Sequence, residues 1–308
     1  MILVTGGSGL LGSAFKRILP DAKYPTHEML DLRNSIKTAS FLSDPSIKTV
    51  IHLAGKVGGV KANTQFVSDF YQVNSEINNN IISSCVNKNI PKLVCCLSTC
   101  IYPDEKYASY PLTENQLHNG PPHDSNFGYA YAKRMVDVQL RAVRQQYGHN
   151  YISVIPNNMY GEHDNFDLEN GHVIPALIRK IWEAKINNKP TFEVWGDGEV
   201  YREFTYAEDI AHAILFCLEH YNGSEPINIG STKEYRLKDV ISLICKELEY
   251  NGQIVYDTTK PKGQIRKPTS NENFLKLGWR EEMYTPLEAG LKKTCNWFKQ
   301  NYPNIRGI

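Results

Sequence analysis

Short, unbroken apolar runs alternate with amphipathic stretches through the first half of the chain. Residues 2–5 (ILVT) run into a glycine turn, and apolar positions then recur at helical spacing from about Leu10 to Leu19. The pattern repeats: TVIHLAG (49–55) precedes a long helical stretch over about 66–87, and KLVCCLS (92–98) precedes a loop rich in Pro, Gly and Asn. A helical pattern over about 129–146 then leads to YISVIP (151–156). Strands apolar on both faces have no side to give to water, so such runs between helices predict a parallel sheet covered on both sides. The second half is less regular. Helices are predicted over 172–185, 207–221, 237–248 and 286–300, with short strands at 191–195, 226–230 and 253–257.

Composition narrows the class without naming a function. The chain has 308 residues, 41% apolar and 22% charged, which is ordinary for a soluble globular protein. Lys+Arg at 34 against Asp+Glu at 33 gives no electrostatic reason to expect nucleic acid or an anionic membrane as partner. No apolar run approaches the roughly 20 residues that span a bilayer. MILVTGG reads as a strand entering a turn, so no signal peptide is expected. Seven irregularly spaced cysteines suggest neither a disulfide framework nor a zinc site. A reduced, cytoplasmic protein without a bound metal is the expectation.

The turn TGGSGLLG supplies Gly6, Gly9 and Gly12 between the first strand and the first helix. Gly6 permits a tight turn, Gly9 lets backbone approach a pyrophosphate, and Gly12 allows close packing of helix on strand. Glycines alone also fit an ordinary strand-to-helix turn; their place at the first such junction favours a dinucleotide. Gly6, Ser8, Gly9, Leu10 and Gly12 are therefore cofactor candidates. The second strand is expected to be short, near 22–26, and no acidic residue clearly ends it. His27 sits there instead, with Asp31 beyond it, and a donor at that place suits a 2′-phosphate, so NADP is favoured over NAD. His27 as a solvated loop residue stays open. These features predict an α/β fold: a Rossmann-like doubly wound parallel sheet with a smaller C-terminal α/β substrate domain. Residues 1–160 would mainly hold the cofactor and 161–308 mainly the substrate, with about 196–225 returning to the first unit.

YAYAK puts Tyr129 four residues before Lys133, one turn apart on a helical face. A phenol titrates near 10 and needs a stabilised phenolate to move protons at neutral pH; a nearby ammonium supplies that stabilisation. Ser98, at the carboxyl end of a central strand, stands where open α/β sheets bind ligands. The spacing alone occurs by chance in a chain with 18 tyrosines, but after a glycine turn and a strand ending in serine the set points to hydride transfer at a carbonyl or alcohol.

The glycine spacing, G-x-x-G-x-x-G, resembles the extended short-chain dehydrogenases/reductases. LSTCIYP, FGYAYAKRMVDVQ, NMYGEHDNF, GHVIPALIRK and VWGDGEVYREFTY, in this order, resemble the GDP-L-fucose synthase family within that group, over Met1 to about Phe298. The resemblance implies NADPH-dependent 3,5-epimerisation and 4-reduction of a GDP-linked keto-sugar by a homodimer, with helices near 66–87 and 129–147 at the subunit contact. It places the epimerisation base and acid on Cys100 and His172. The chemistry is consistent: hydrogens on C3 and C5 flank the C4 ketone, and inversion needs one group to remove a proton and another to return it. It also places Leu53 and Ala54, in LAGKVGG (53–59), on the nicotinamide side of the cleft, Asn158 and His172 near the cofactor, and Lys180, Trp195, Arg202 and Lys267 near the GDP moiety. Glu162 stands where the family usually has proline. A 4-reductase of another nucleotide-linked keto-sugar, such as a heptose, and a non-catalytic NADP sensor on the same fold stay open.

Overall fold

The computed structural model describes residues 1–259 and 265–308, a span that holds every candidate site residue. In chain order the elements begin β1 (Ile2–Thr5), α1 (Leu10–Ile18), α2 (Ser35–Phe41), β2 (Thr49–His52), α3 (Val60–Gln65), α4 (Val67–Asn87) and β3 (Lys92–Cys96). They continue with α5 (Phe127–Tyr147), β4 (Tyr151–Pro156), β5 (Met159–Tyr160), α6 (Val173–Ile186), β6 (Thr191–Trp195), β7 (Tyr201–Glu203), β8 (Thr205–Tyr206) and α7 (Ala207–His220). Last come β9 (Ile227–Ile229), β10 (Glu234–Arg236), α8 (Leu237–Leu248), β11 (Gln253–Asp257), α9 (Glu272–Leu275) and α10 (Leu287–Asn301).

The central sheet is parallel, in the order β1-β2-β3-β4-β9. Its strands feed two cores because successive side chains point to opposite faces. In β3, Leu93 and Cys95 join the core beneath α4 and α5, with Ile81, Val136 and Leu140. Val94 and Cys96 join the core beneath α1 and α7, with Phe15, Ile210 and Ile214. Each such buried aliphatic or aromatic side chain contributes about 1.5–3 kcal/mol over its exposed state. A third core gathers α6, α8 and α10 around Ile178, Ile244 and Phe298.

The expected second strand shrinks to a single bridge. Lys23 pairs with Leu3, its N–H donating to the Ile2 carbonyl and its carbonyl accepting from Val4. Pro25, which has no N–H, cannot extend the ladder. That bridge still lies on the edge of β1 opposite β2, so the sheet's connections diverge at β1 and open a crevice at its carboxyl end. The runs read as 49–55 and 92–98 leave the sheet after His52 and Cys96, because the residues that follow line that crevice. Helices α2 and α3, and the two- and three-residue strands β5, β7, β8 and β10, were not foreseen. Glu162 accepts from the Tyr206 hydroxyl (2.6 Å) and lies 3.5 Å from Arg17, tying the loop after β5 to β8 and α1.

Candidate active site

A cleft of about 950 Å³ runs along the carboxyl ends of the central strands. At one end Gly6, Ser8, Gly9, Leu10 and Gly12 line it; Leu53 and Ala54 face them. Gly6 has φ +74°, and a Cβ there would press on the Ala54 backbone at 2.8 Å. A Cβ on Gly12 would overlap the Gly6 carbonyl. At Gly6 and Gly12 the turn thus leaves no room for a side chain. Gly9 caps α1 with no side chain to satisfy the helix N–H groups, which are left facing the cleft with the positive end of the helix.

His27, Asp31 and Arg33 form one rim. His27 Nε2 lies 3.9 Å from Asp31 Oδ2, and the exposed imidazole is free to meet a ligand. Arg33 forks onto Asp31 (3.0 and 2.8 Å) and pulls its carboxyl down to about 2. Arg33 was passed over in the sequence; the signal was a cation two residues after the acid in DLRN.

Ser98, Cys100, Tyr129 and Lys133 come together further along the cleft. Ser98 ends the run after β3 and caps a single 3₁₀ turn, accepting from the Cys100 N–H (3.3 Å). That turn is what separates Cys100 from its neighbours. Cys95 and Cys96 stay in the sheet, where burial raises their thiols to about 12 and about 11. Cys100 is half-buried and packs with Ala62, Phe70 and Tyr129. Arg134 of α5 donates to the Ile101 carbonyl (3.1 Å) and so fixes the turn against the helix that carries Tyr129 and Lys133.

Tyr129 is 8% and Lys133 3% exposed. Burial pushes the Tyr129 phenol well up, Cys100 and Cys96 add to that, and the Ser98 hydroxyl opposes it. The Lys133 ammonium, lowered by burial, donates to the Cys96 carbonyl (3.0 Å).

A buried chain behind this group was not visible in the sequence. Thr5 Oγ1 accepts from the N–H groups of Leu53 and Ala54, so its own hydrogen goes to His52 Nδ1 (2.8 Å). His52 Nε2 then donates to Asn78 Oδ1 (3.1 Å), whose amide donates to the Ala132 carbonyl. Burial first, and Lys133 second, hold His52 down to about 3, so it is neutral. The chain ties the end of β1 to α5 next to Lys133.

The opposite wall is made of loops. His172 caps α6 and lines the cleft with Asn158 and Asp164. Crowding by protein, and then the charge of Arg306, lower its imidazole. Asn158 donates to the Glu203 carbonyl (2.9 Å). Asp164 Oδ1 accepts from the Asn165 N–H (2.7 Å), while Oδ2 is buried without a partner, and burial raises the carboxyl to about 7. Lys267 lies within electrostatic reach of Cys100, Arg202 and Asp104, and burial lowers it. None of Lys180, Trp195, Arg202 and Lys267 is among the residues lining the cleft; Arg202 Nη1 donates to the Tyr201 carbonyl (2.7 Å), and Trp195 is 60% exposed at the end of β6. Among the described residues no group of three or more His, Cys, Asp or Glu could hold a metal ion, and no helix is long and apolar enough to cross a membrane.

Residues 2–230 match the model of the NAD dependent epimerase/dehydratase family. The chain is 39% identical to the GDP-L-fucose synthase of Dictyostelium discoideum, over 99% of this chain and 97% of that one. It superposes with TM-score 0.91 on a GDP-L-fucose synthetase from Naegleria fowleri bound to NADP, 38% identical, covering 99% of this chain and 94% of that one. A GDP-6-OMe-4-keto-L-xylo-heptose reductase from C. jejuni is 27% identical at TM-score 0.89, with 97% of each chain covered.

Proposed function

Because the chain belongs to the NAD dependent epimerase/dehydratase family, among the GDP-L-fucose synthases, we propose that it makes GDP-L-fucose from GDP-4-keto-6-deoxy-D-mannose by 3,5-epimerisation and NADPH-dependent 4-reduction. The observation that carries this reading is one cleft that joins the glycine turn, Ser98–Tyr129–Lys133 at the sheet end, and Cys100 with His172 beyond.

The turn fits a dinucleotide, since Gly6 and Gly12 let the backbone fold tightly, and at Gly9 the first turn of α1 presents its N–H groups with no side chain in front of them. Gly6, Gly9 and Gly12 would hold its phosphates, Arg33 and His27 a 2′-phosphate, and Leu53, Ala54 and Lys133 the parts nearer the sugar. NADPH, when bound, supplies the hydride that reduces C4. Cys100 Sγ removes the proton from C3 or C5, and the His172 imidazole returns one from the other side of the ring. Ser98 Oγ donates to the C4 oxygen, which polarises the ketone for both stages. Tyr129 Oη then gives that oxygen its proton. Burial favours this direction by holding the phenol protonated. Arg202 and Lys267 are assigned to the diphosphate of the GDP, and Lys180 and Trp195 to its outer parts.

The division of labour runs as 1–160 mainly for cofactor and 161–308 mainly for substrate, with about 196–225 returning to the first unit; α7 packing on α1 supports it. We assign a homodimer through the outer faces of α4 and α5, where Tyr71, Met135 and Val138 remain exposed. Light scattering that gave the mass of one chain would refuse it. Seven free cysteines suit a cytoplasmic setting, which cell fractionation tests.

The deciding experiment is turnover of GDP-4-keto-6-deoxy-D-mannose with NADPH in D2O, with the product read by NMR. GDP-L-fucose deuterated at C3 and C5 is expected. A product reduced at C4 without deuterium there would replace the reading by a plain 4-reductase, and no NADPH consumption would refuse both.

A further inference from the structure

The segment that follows α10 folds back onto the cleft. The Phe166 N–H donates to the Arg306 carbonyl (3.0 Å), and Arg179 Nη1 donates to the carbonyls of Phe166 and Gly307. These bonds pin Arg306 and Gly307 against the loop that leads to His172. They also carry the Arg306 side chain to the glycine turn: a Cβ on Gly9 would lie 3.9 Å from its Nη1. Arg306, Gly9 and His172 line the same cleft.

Two positive ends therefore face each other there. The first turn of α1 offers unsatisfied N–H groups and the positive end of the helix. Across from it stands a guanidinium that is always charged and makes no ion pair or hydrogen bond with any described residue. Asp164 is the acid within its electrostatic reach, but that carboxyl stays unpaired at Oδ2 and titrates high in spite of the arginine. A like-charged pair of this kind is stable once an anion lies between its members. The cleft's dinucleotide has one of the right size, a diphosphate with oxygens on both sides.

We propose that Arg306 is a cofactor-binding residue that forks onto the pyrophosphate of the dinucleotide, opposite the N-terminus of α1. The assignment rests on the reading of this cleft as the NADP(H) site. It is distinct from the 2′-phosphate rim, which His27 and Arg33 occupy at the other edge of the turn. It also links the two walls, because the segment that brings Arg306 is bonded to the loop before His172.

The test is direct binding of NADPH and of NADH to the full chain without sugar, by calorimetry. R306A should raise both dissociation constants by about tenfold, equivalent to about 1.4 kcal/mol. R306K should recover part of the loss, since it restores the charge but not the fork. Arg306 is exposed, so the unfolding temperature of the ligand-free variant should match that of the parent. Unchanged constants in R306A would overturn the assignment. A loss for NADPH with none for NADH would also overturn it, by moving the contact to the 2′-phosphate. A parent chain that bound neither dinucleotide would overturn the cofactor reading, and this assignment with it.

Discussion

On one side of the cleft, Ser98, Tyr129 and Lys133 stand on a strand end and a 21-residue helix, and the tyrosine and lysine are almost wholly buried. On the other, His172 and Arg306 are exposed and are carried by irregular segments held through backbone and side-chain-to-backbone bonds. The two walls suit different work. Placing a carbonyl for reduction requires fixed geometry to within a fraction of an ångström, which packed elements provide. Moving protons to and from two carbons of one ring requires groups that reach different positions, and loops serve that better. Cys100 sits between the two, on a 3₁₀ turn fastened to α5 but standing outside the sheet.

If the walls divide the chemistry in this way, the largest separation should come from Tyr129→Phe. If Tyr129 gives the C4 oxygen its proton, as proposed, removing its hydroxyl should lower turnover by about 10³-fold, within the usual span for general acid–base groups. Exchange of the C3 and C5 protons with solvent deuterium, read by NMR on the unreduced sugar, should persist. A variant that lost both together would show that the walls act as one unit.

The reverse separation comes from Cys100→Ala, with a drop in GDP-L-fucose formation of about 10²-fold. Deuterium should no longer enter at C3 or C5, while NADPH binding stays at the parent value. Persistent exchange at both carbons would move the base role to another residue, and the thiol would then be a packing group for Phe70 and Tyr129.

The same contrast explains how far the sequence could be read. Regular elements carry their own signal on either side: 151–156, 191–195, 237–248 and 253–257 match the observed bounds to the residue, the first as a wholly buried apolar run, the second by alternation and the third by helical spacing. Tyr129 and Lys133 were singled out by spacing on one helix, and both line the cleft. Ser98 was found by its place at the end of an apolar run. His172 carried no local pattern and entered only through resemblance. Arg306 and the Thr5–His52–Asn78 chain could not be read at all, since their partners are distant in sequence, and Asp164 could not because its burial is a product of the fold. The second strand failed for a nearer reason. Its pairing is one bridge long, too short to show an alternation, and Pro25 stops it.

The smallest expected effect concerns stability, and it tests whether the loop wall holds a charge at a cost to the fold. Asp164 titrates at about 7 in the folded chain against about 3.9 in an unfolded one. Below pH 4 the carboxyl is protonated in both states and carries no penalty. As pH rises from 4 through 7 the unfolded chain ionises first, so stability is lost progressively, and above 7 the loss is complete. Asp164→Asn keeps an acceptor for the Asn165 N–H and removes the ionisation. The variant should unfold at the parent's temperature at pH 4 and a few degrees above it at pH 8, roughly one to a few kcal/mol. Calorimetric melts at the two pH values decide it. Equal melting at pH 8 would mean that the carboxylate is already compensated there, with Arg306 as the nearest source of that compensation. In that case the guanidinium would be engaged with the loop wall, and the cofactor's diphosphate would have to displace an ion pair in order to bind it.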